Sequence, residues 1–204
     1  MPRLIVFNQV TLDGYFTGEQ GDLSWAKARN KDPEWAAFVA ENAGSGGVLL
    51  FGRVTYEMMV SYWPTPEAAK NDPVVAKGMN SLPKVVFSKS LKKTNWNNTR
   101  IVKGNLPDEI RAMKQGQGAD LVILGSGTLV AELTQEGLID EYRLVLIPAV
   151  LGKGRTMFEG VTRKPFLRPT GSRTFGNGYT VLTYVPVADA GAEKEEREEA
   201  MASS

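Results

Sequence analysis

The residue types that can carry out chemistry in this chain are limited by two absences. Neither cysteine nor histidine occurs among its 204 residues. Their absence excludes disulfide scaffolds, Cys/His zinc sites, thiol nucleophiles, Ser-His-Asp triads and histidine acid/base chemistry. Catalysis would have to use carboxylates, Tyr, Lys, Ser or Thr hydroxyls, backbone dipoles, an oxygen-ligated metal or a bound cofactor. We therefore expect a cofactor-dependent enzyme.

Two glycine turns each follow a buried strand and precede a helix. They are Gly52-Arg53 and Gly125-Ser126-Gly127-Thr128. In such a turn, backbone N–H groups and the helix dipole converge on the place where an anion would bind. The second turn is not a full Rossmann fingerprint, because Val130 stands where a third glycine should be. Two such turns predict a pyrophosphate site, with tight strand-to-helix packing as the structural alternative.

Arg53 is the more specific signal in the first turn. A cation at the start of a helix opposes the helix dipole, which costs a few tenths of a kcal/mol unless an anion offsets it. Pairing with Glu57, one turn further on, is the structural alternative. The hydroxyls of Thr55 and Ser88 stand at the ends of neighbouring elements and could add donors. This set of groups is the chemistry that a 2′-phosphate needs.

Four further residues lie outside these two glycine turns. Asp13 follows the first apolar strand, so its carboxylate can project toward a ligand, with an ordinary Asp-Gly turn as the alternative. Trp25 ends a polar, glycine-rich loop, and we weigh a pocket and a core position equally for it. Lys153 and Arg155 lie in a basic glycine loop, which we interpret as a solvated turn.

The elements that must position these residues alternate between strands and helices, which predicts an α/β sheet that is mostly parallel. A first helix begins at Asp32-Pro33, because Asp is a good N-cap and Pro suits the first turn. Residues 64–83 contain four prolines and predict a long connection with one short helix near 74–79. After Asp140 only strands follow, and the last two form a hairpin. We predict strands at the amino terminus and at residues 48–51, 84–88, 100–102, 120–124, 141–147, 165–173 and 179–185.

Length and charge predict one domain with a charged tail. Domains usually run to about 100–200 residues, so residues 1–187 are most simply a single unit. Residues 188–204 hold six acidic and two basic residues without an apolar stripe, which predicts a disordered segment or a solvated helix. Residues 1–187 carry 22 basic and 17 acidic residues, a balance that suits a small anionic ligand.

The same composition argues against several partners. No Lys/Arg stripe interleaved with aromatics is present, so we do not expect nucleic-acid binding. No apolar run approaches the roughly 18 residues that a membrane span requires. The amino terminus turns polar too early for a secretory signal, so we expect a cytoplasmic location. The sequence leaves open whether the protein is a monomer or a homodimer.

The segments around these candidate residues occur in an order that resembles a known family. In chain order they are Thr11-Leu12-Asp13-Gly14, Gly21-Asp22-Leu23-Ser24-Trp25, Phe51-Gly52-Arg53-Val54-Thr55-Tyr56-Glu57, Leu82-Pro83-Lys84-Val85-Val86-Phe87-Ser88, Leu124-Gly125-Ser126-Gly127-Thr128-Leu129, Gly137-Leu138-Ile139-Asp140-Glu141 and Leu151-Gly152-Lys153-Gly154-Arg155. Across residues 3–186 this ordered set is similar to the dihydrofolate-reductase-like superfamily. It more closely resembles the branch that contains the reductase domain of the bifunctional riboflavin-biosynthesis deaminase-reductase.

This resemblance implies a three-layer αβα sandwich on a mixed central sheet, with a C-terminal antiparallel hairpin and NADPH as the cofactor. It assigns Gly52, Arg53 and Thr55 to the turn that holds the 2′-phosphate and the pyrophosphate. It assigns Ser88 to the adenosine phosphate and Gly125-Ser126-Gly127-Thr128 to a second pyrophosphate turn.

On the substrate side, the resemblance assigns Asp13 to a position that faces the substrate. With no histidine in the chain, Asp13 is the best-placed carboxyl to bind a polar substrate atom or relay a proton, and Trp25 is a second candidate for substrate contact. Riboflavin-type reductases tend to carry a carboxylate just before the second glycine turn, where this chain has Leu124, so the substrate stays open.

The sequence therefore predicts an NADPH-dependent reductase that transfers a hydride to a C=N or C=O carbon. The substrate would be a small heterocyclic or sugar-derived molecule, similar to a riboflavin precursor or a pterin. The alternative is a non-catalytic module that binds a dinucleotide or another ligand on the same fold.

The acidic tail generates a first testable prediction. Truncation after Val187 should leave the melting temperature within about 2 °C of the full chain, because residues 188–204 have no apolar face to bury. Calorimetry of the two chains measures this difference. Truncation before residue 179, which removes a predicted strand, is the control that should unfold. A fall of many degrees after removal of the tail alone would show that it docks on the body or on a partner.

Overall fold

The computed structural model describes residues 1–27 and 31–187, which form an eight-stranded sheet with helices on both faces. The strands are β1 (Leu4–Thr11), β2 (Tyr15–Thr17), β3 (Val48–Gly52), β4 (Lys84–Phe87), β5 (Thr99–Val102), β6 (Leu121–Leu124), β7 (Glu141–Ile147), β8 (Arg155–Thr156), β9 (Leu167–Thr174) and β10 (Thr180–Pro186). The helices are α1 (Pro33–Gly44), α2 (Arg53–Tyr62), α3 (Pro66–Asn71), α4 (Pro73–Ser81), α5 (Leu106–Gln115) and α6 (Gly127–Gln135). None of these described helices is long and apolar enough to cross a membrane. The acidic tail predicted at 188–204 lies outside the described residues.

The large sheet has the strand order β5-β4-β3-β6-β1-β7-β10-β9, and β2 pairs with β8 in a separate small sheet. The first six strands of that order are parallel, whereas β10 is antiparallel to both β7 and β9. The predicted mixed sheet with a C-terminal antiparallel hairpin is therefore confirmed. Because the six parallel strands run in one direction, β1, β3, β4, β6 and β7 all end at the same edge, which we call the carboxyl edge.

Alternate side chains of the central strands face two helical layers. On one face, Leu50 lies in a core cluster with residues of α5 and α6. On the other face, Phe51 lies in a cluster with residues of α2 and α4, and a third cluster contains Trp35 of α1. Gly78 lets α4 pack closely on α1, because a Cβ there would lie 2.4 Å from the carbonyl oxygen of Ala43. Both faces are thus covered, as a parallel sheet requires.

Residues 64–83 differ from the predicted long connection with one short helix. They contain two consecutive helices, α3 and α4, which begin at Pro66 and Pro73. A helix leaves its first N–H groups without intrahelical partners, so proline loses nothing at this position. Thr65 caps α3 by accepting a hydrogen bond from the N–H of Ala68 at 3.2 Å. Pro66 and Pro73 therefore begin helices instead of interrupting them, and the short helix predicted near 74–79 is confirmed, since it lies within α4.

The small sheet of β2 and β8 is a second difference. The sequence predicts a polar, glycine-rich loop before Trp25 and a solvated turn at Lys153 and Arg155. In the structure the start of that loop and the end of that turn pair as short strands. The two strands have only three and two residues, too few for alternation to reveal them. Gly154 permits the approach, because a Cβ there would lie 2.1 Å from the carbonyl oxygen of Thr17.

Lys84, the first residue of β4, is a buried cation. Its Nζ donates to the carbonyl oxygens of Leu82 at 2.6 Å, Asn97 at 3.2 Å and Asn80 at 3.4 Å. It also lies 4.6 Å from the centre of the Trp96 ring. Two of these carbonyls belong to the C-terminal end of α4, where a positive charge is favourable. Burial nevertheless lowers the pKa of Lys84 to about 8, because desolvation disfavours the charged form.

The lowered pKa of Lys84 predicts a pH-dependent stability. Below a pH of about 8 the folded and the unfolded chain both bind this proton, whereas from there up to about 10.5 mainly the unfolded chain binds it. The free energy of unfolding should therefore rise with pH across this window, by on the order of 2 kcal/mol from this one group. Urea unfolding at pH values on both sides of the window measures the rise.

Lys84→Met should abolish most of that rise, because it removes the group that titrates. It should also lower the stability at neutral pH by about 1–3 kcal/mol, since three carbonyl groups lose their donor. Lys77→Met, at an exposed position of α4, is the matched control and should keep the wild-type pH dependence. An unchanged pH dependence in Lys84→Met would contradict this assignment.

Candidate functional site

The strand order brings the residues predicted for the two glycine turns and the Asp-Gly turn to the carboxyl edge. Taken from β4 toward β1, they are Ser88, then Gly52 with Arg53 and Thr55, then Gly125 to Thr128, and then Asp13. Neighbouring strands lie about 4.8 Å apart, so the ends of β3 and β1, with β6 between them, are separated by roughly 10 Å. The predicted residues therefore form one continuous row.

The middle of this row is the topological switch point of the sheet. After β3 the chain turns through α2 toward β4, whereas after β6 it turns through α6 toward β7, on the other side. The N-termini of α2 and α6 therefore flank one crevice outside the ends of β3 and β6. Ligands of open α/β sheets bind at this position, and helix N-termini favour an anion there.

Two hydrogen bonds join the glycine turns to each other. The N–H of Gly52 donates to Oγ of Ser126 at 2.9 Å, and the N–H of Ser126 donates to Oγ1 of Thr55 at 3.1 Å. Gly125 has a φ of 74°, and a Cβ there would lie 2.7 Å from Cγ2 of Thr55, so glycine is required. We call this arrangement the turn junction. The Ser126 and Thr55 hydroxyls accept within it and keep their own protons to donate to a ligand.

Asn8 of β1 supports the turn junction from the neighbouring strand, and it was not among the residues predicted from the sequence. The side chain is 3% exposed. Its Oδ1 accepts from the N–H of Gly125 at 2.6 Å, and its Nδ2 donates to the carbonyl oxygen of the same residue at 3.0 Å. An amide in the middle of an apolar strand was the available signal, because a buried polar group needs hydrogen-bond partners.

Arg53 lies at the first position of α2, and its guanidinium is held only weakly. Its Nη1 donates to the Glu57 carboxylate at 2.8 Å, and about half of each side chain is exposed. Exposed ion pairs of this kind contribute about 0–1 kcal/mol, so an incoming phosphate can replace Glu57 as the partner. The structure thus contains the Arg53–Glu57 ion pair that was the structural alternative. A stronger anion can still displace Glu57 from Arg53.

Two hydroxyls extend the row of donors. Thr128 is exposed near the start of α6, and its Oγ1 lies 3.4 Å from Nη2 of Arg155. Ser88 accepts a hydrogen bond from the N–H of Leu91 at 3.0 Å, which leaves its own proton to donate. The arrangement offers amide, hydroxyl and guanidinium donors to an anionic ligand. Among residues 1–27 and 31–187, no group of three or more acidic residues is placed to hold a metal ion.

Asp13 lies at the β1 end of the row, and its carboxylate holds the loop that follows β7. Its Oδ1 accepts from the hydroxyl of Thr11 at 2.6 Å, and its Oδ2 accepts from the N–H groups of Leu151 at 3.0 Å and Gly152 at 2.8 Å. These bonds, that from Thr11 first and that from Gly152 next, lower the pKa of Asp13. Asp13 is therefore an anion at neutral pH, and its predicted contact with a substrate stays a prediction.

Trp25 lies within the core instead of lining the row. It is 7% exposed and belongs to a buried cluster with Trp35 and Tyr179. Its indole N–H donates to the carbonyl oxygen of Asp22 at 3.1 Å. The sequence left a pocket position and a core position open for Trp25, and the structure places it in the core. A contact between Trp25 and a substrate stays a prediction.

Phe16 of the small sheet covers the start of α6, and no sequence pattern indicated it. A Cβ on Gly127 would lie 3.1 Å from the Phe16 ring, so the absence of a side chain lets the ring close on the turn. Met157, which follows β8, is buried and contacts Asn8. The small sheet therefore closes one side of the second glycine turn and leaves the side toward β3 for a ligand.

Sequence comparison places these features in a family. Residues 2–181 match the family described as the RibD C-terminal domain. The uncharacterized protein YyaP of Bacillus subtilis (strain 168) is 28% identical over 182 residues, which are 89% of this chain and 94% of YyaP. The uncharacterized protein YwjB of the same strain is 25% identical over 174 residues, which are 85% of this chain and 92% of YwjB.

Solved structures share the fold at lower identity. A putative riboflavin biosynthesis protein from Shewanella sp. PV-4 has a TM-score of 0.69 and 24% identity, covering 91% of this chain and 99% of that one. The diaminohydroxyphosphoribosylaminopyrimidine deaminase/5-amino-6-(5-phosphoribosylamino)uracil reductase of Thermotoga maritima has a TM-score of 0.63 and 15% identity, covering 91% of this chain and 57% of that one. The chain therefore belongs to the RibD C-terminal domain family and has a dihydrofolate-reductase-like fold.

Proposed function

We propose that the protein is an NADPH-dependent reductase that transfers a hydride to a C=N or C=O carbon of a small heterocyclic or sugar-derived substrate. The observation that carries this proposal is the order of groups along the carboxyl edge. Ser88 and Arg53 lie at one end, the turn junction lies in the middle, and Asp13 lies at the other end. The 2′-phosphate, the pyrophosphate and the nicotinamide follow one another in the same order along the cofactor.

The residues of the row fit this cofactor. Arg53 offers a planar guanidinium to the 2′-phosphate, with Ser88 as a nearby hydroxyl donor. The first-turn N–H groups of α2 and α6, together with the Thr55 and Ser126 hydroxyls, suit a pyrophosphate. The turn junction positions both helices before the ligand arrives, so little order is lost on binding. When bound, NADPH supplies the hydride, and the protein supplies position and electrostatics.

On the substrate side, the ionised carboxylate of Asp13 accepts a hydrogen bond from an N–H or O–H group and so orients the reacting carbon. Leu12 and Val150 flank it, with 64% and 70% of their surface exposed. They lie on neighbouring segments, because the N–H of Leu12 donates to the carbonyl oxygen of Ala149 at 2.9 Å. These two side chains offer an apolar surface to a ring. Because Asp13 is an anion, the proton that follows the hydride reaches the substrate from solvent beside it.

The names of the related structures support a reductase, but we propose a wider range of substrates than those names state. The Thermotoga maritima protein is named as a 5-amino-6-(5-phosphoribosylamino)uracil reductase, and the Shewanella protein as a putative riboflavin biosynthesis protein. Riboflavin-type reductases tend to carry a carboxylate where this chain has Leu124, at the end of β6. Our proposal therefore includes pterin-like and simple carbonyl substrates beside riboflavin precursors.

One observation favours a second candidate function, a dinucleotide-binding module without turnover. The Asp13 carboxylate already accepts three hydrogen bonds from its own chain, as a purely structural turn residue would. The oxidation of NADPH, followed at its absorbance band over a panel of pterin, flavin-precursor and carbonyl compounds, separates the two candidates. Substrate-dependent oxidation supports the reductase, whereas binding of NADPH without oxidation on any member supports the module.

The proposal predicts a preference for NADPH over NADH that depends on Arg53. The charge-assisted contacts to the 2′-phosphate should favour NADPH by about 1.5–3 kcal/mol in calorimetric titrations. Arg53→Ala should remove most of this difference. Arg111→Ala is the matched control, because Arg111 is a similarly exposed arginine with carboxylate partners on α5 and beyond α6. Equal affinities of the wild-type protein for the two cofactors would overturn the role of Arg53.

The proposal also predicts that Asp13→Asn slows turnover without weakening NADPH binding. The variant keeps the shape and removes the charge of the hydrogen-bond acceptor, so kcat on the fastest panel compound should fall about 10- to 100-fold, the share of one charge-assisted hydrogen bond. The wild-type rate should show no acid limb from Asp13 between about pH 5 and pH 8, because the lowered pKa keeps the carboxylate ionised there.

The control for Asp13→Asn is Asp22→Asn. Asp22 is another exposed carboxylate whose pKa is lowered by hydrogen bonds, here from the backbone N–H and the hydroxyl of Ser24. It should leave kcat within about twofold of wild type. Turnover by Asp13→Asn at the wild-type rate across pH would reduce Asp13 to a structural turn residue.

A further inference from the structure

A cleft lies next to the Asp13 end of the row, between the small sheet and the loop after β7. Its volume is about 810 Å³, within the range of small-molecule sites. One wall runs along β2 and the short helical turn Glu19–Gly21, and the other consists of residues 152–155. The cleft is on the carboxyl edge, because β2 follows the end of β1 and the loop follows the end of β7.

The loop wall is fixed by the groups that hold Asp13. The N–H of Gly152 donates to the Asp13 carboxylate at 2.8 Å, and the hydroxyl of Tyr15 donates to the Gly152 carbonyl oxygen at 3.2 Å. Gly154 is pressed against the carbonyl of Thr17, where no side chain would fit. The residue between these two glycines, Lys153, is thus carried on a loop held at both ends.

The charges that line the cleft leave one cation free. Arg155 donates through Nε to the Glu159 carboxylate at 2.7 Å, an exposed ion pair like that of Arg53 with Glu57, so it already has one carboxylate partner, which a stronger anion can replace. Lys153 is exposed and makes no hydrogen bond or ion pair with the residues that the structure describes. Glu19, on the opposite wall, is the acidic residue that lines the cleft. The groups available to a ligand are therefore the ammonium of Lys153 and the unused N–H groups of Arg155.

We propose that this cleft binds an oxyanion group, a carboxylate or a phosphate, and that Lys153 recognises it with support from Arg155. Lys153 is the next residue after Gly152, whose N–H donates to the Asp13 carboxylate, so the cleft adjoins the Asp13 end of the row. That the oxyanion belongs to the reductase substrate rests on the proposed function, whereas the binding of the oxyanion itself does not. The inference assigns the substrate a polar group for Asp13 and an anionic group for Lys153.

The test is an NMR titration of the full chain, labelled with ¹⁵N, in the presence and absence of saturating NADP⁺. The probes are glycerol 3-phosphate, glycerate and glycerol, which share a carbon skeleton and differ in charge. The two anions should shift the amide signals of Gly152 and Gly154, and glycerol should not. A response to one anion alone supports the proposal and identifies the oxyanion as a phosphate or a carboxylate.

Variants locate the binding within the cleft. Lys153→Ala should weaken the apparent affinity for the anion about three- to fivefold, the range for one exposed charge pair. Glu19→Gln should strengthen it, because the acidic group on the facing wall is removed. Lys103→Ala, at an exposed position after β5, is the matched control and should leave it unchanged. Tm values close to wild type would show that each variant is folded.

Three results would overturn the proposal. They are equal shifts with glycerol, unchanged anion affinity in Lys153→Ala, and anion shifts confined to Gly125 and Gly127. A failure of the proposed cofactor site, on which the reductase depends, is separable in the same samples, because NADP⁺ would then leave the signals of Gly125 and Gly127 in place. Absent NADP⁺ shifts would leave the assignment of the oxyanion cleft intact. Shifts with NADP⁺ but none with the two anions would contradict the oxyanion cleft and leave the cofactor site intact.

Discussion

The turn junction is the interaction on which the rest of the site depends. The hydrogen bonds from Gly52 to Ser126 and from Ser126 to Thr55 tie the ends of β3 and β6 together at the point where the chain departs in opposite directions. Without this junction, the N-termini of α2 and α6 would each face solvent separately. With it, their dipoles converge on one crevice that is formed before a ligand binds. Asn8 holds the junction from the neighbouring strand.

At the other end of the row, the Asp13 carboxylate has the supporting role that the Asn8 amide has at the turn junction. Asp13 fastens the loop after β7, and that loop carries Lys153 and one strand of the small sheet. The small sheet in turn reaches the cofactor end, because Phe16 packs on Gly127 and Arg155 approaches Thr128. One chain of contacts therefore links the predicted cofactor turns to the predicted substrate residue. A reductase needs such a link, since hydride donor and acceptor must be held at a fixed separation.

The sequence was most informative where one local pattern decides the structure. The strand at 141–147 and the N-cap at Asp32 were predicted as observed, because alternation and capping are local. The start of α3 was not predicted, although Thr65-Pro66 repeats the cap-and-proline pattern that predicted α1 at Asp32-Pro33, because several prolines close together also indicate a connection. Phe16 and the small sheet depend on contacts between distant segments, which no window of sequence contains. Asn8 carried a local signal, an amide within an apolar strand, but its partner Gly125 is distant in sequence. Trp25 stayed ambiguous for the same reason, because its surroundings come from α1 and β10.

We propose that one edge of the sheet is arranged in the order of a dinucleotide, and a crystal structure of the complex with NADPH would test this arrangement. We expect the 2′-phosphate within about 3 Å of the Arg53 guanidinium, the pyrophosphate between α2 and α6, and the nicotinamide beside Asp13. A cofactor bound in the reverse direction, with its nicotinamide toward Ser88, or bound away from the carboxyl edge, would contradict it.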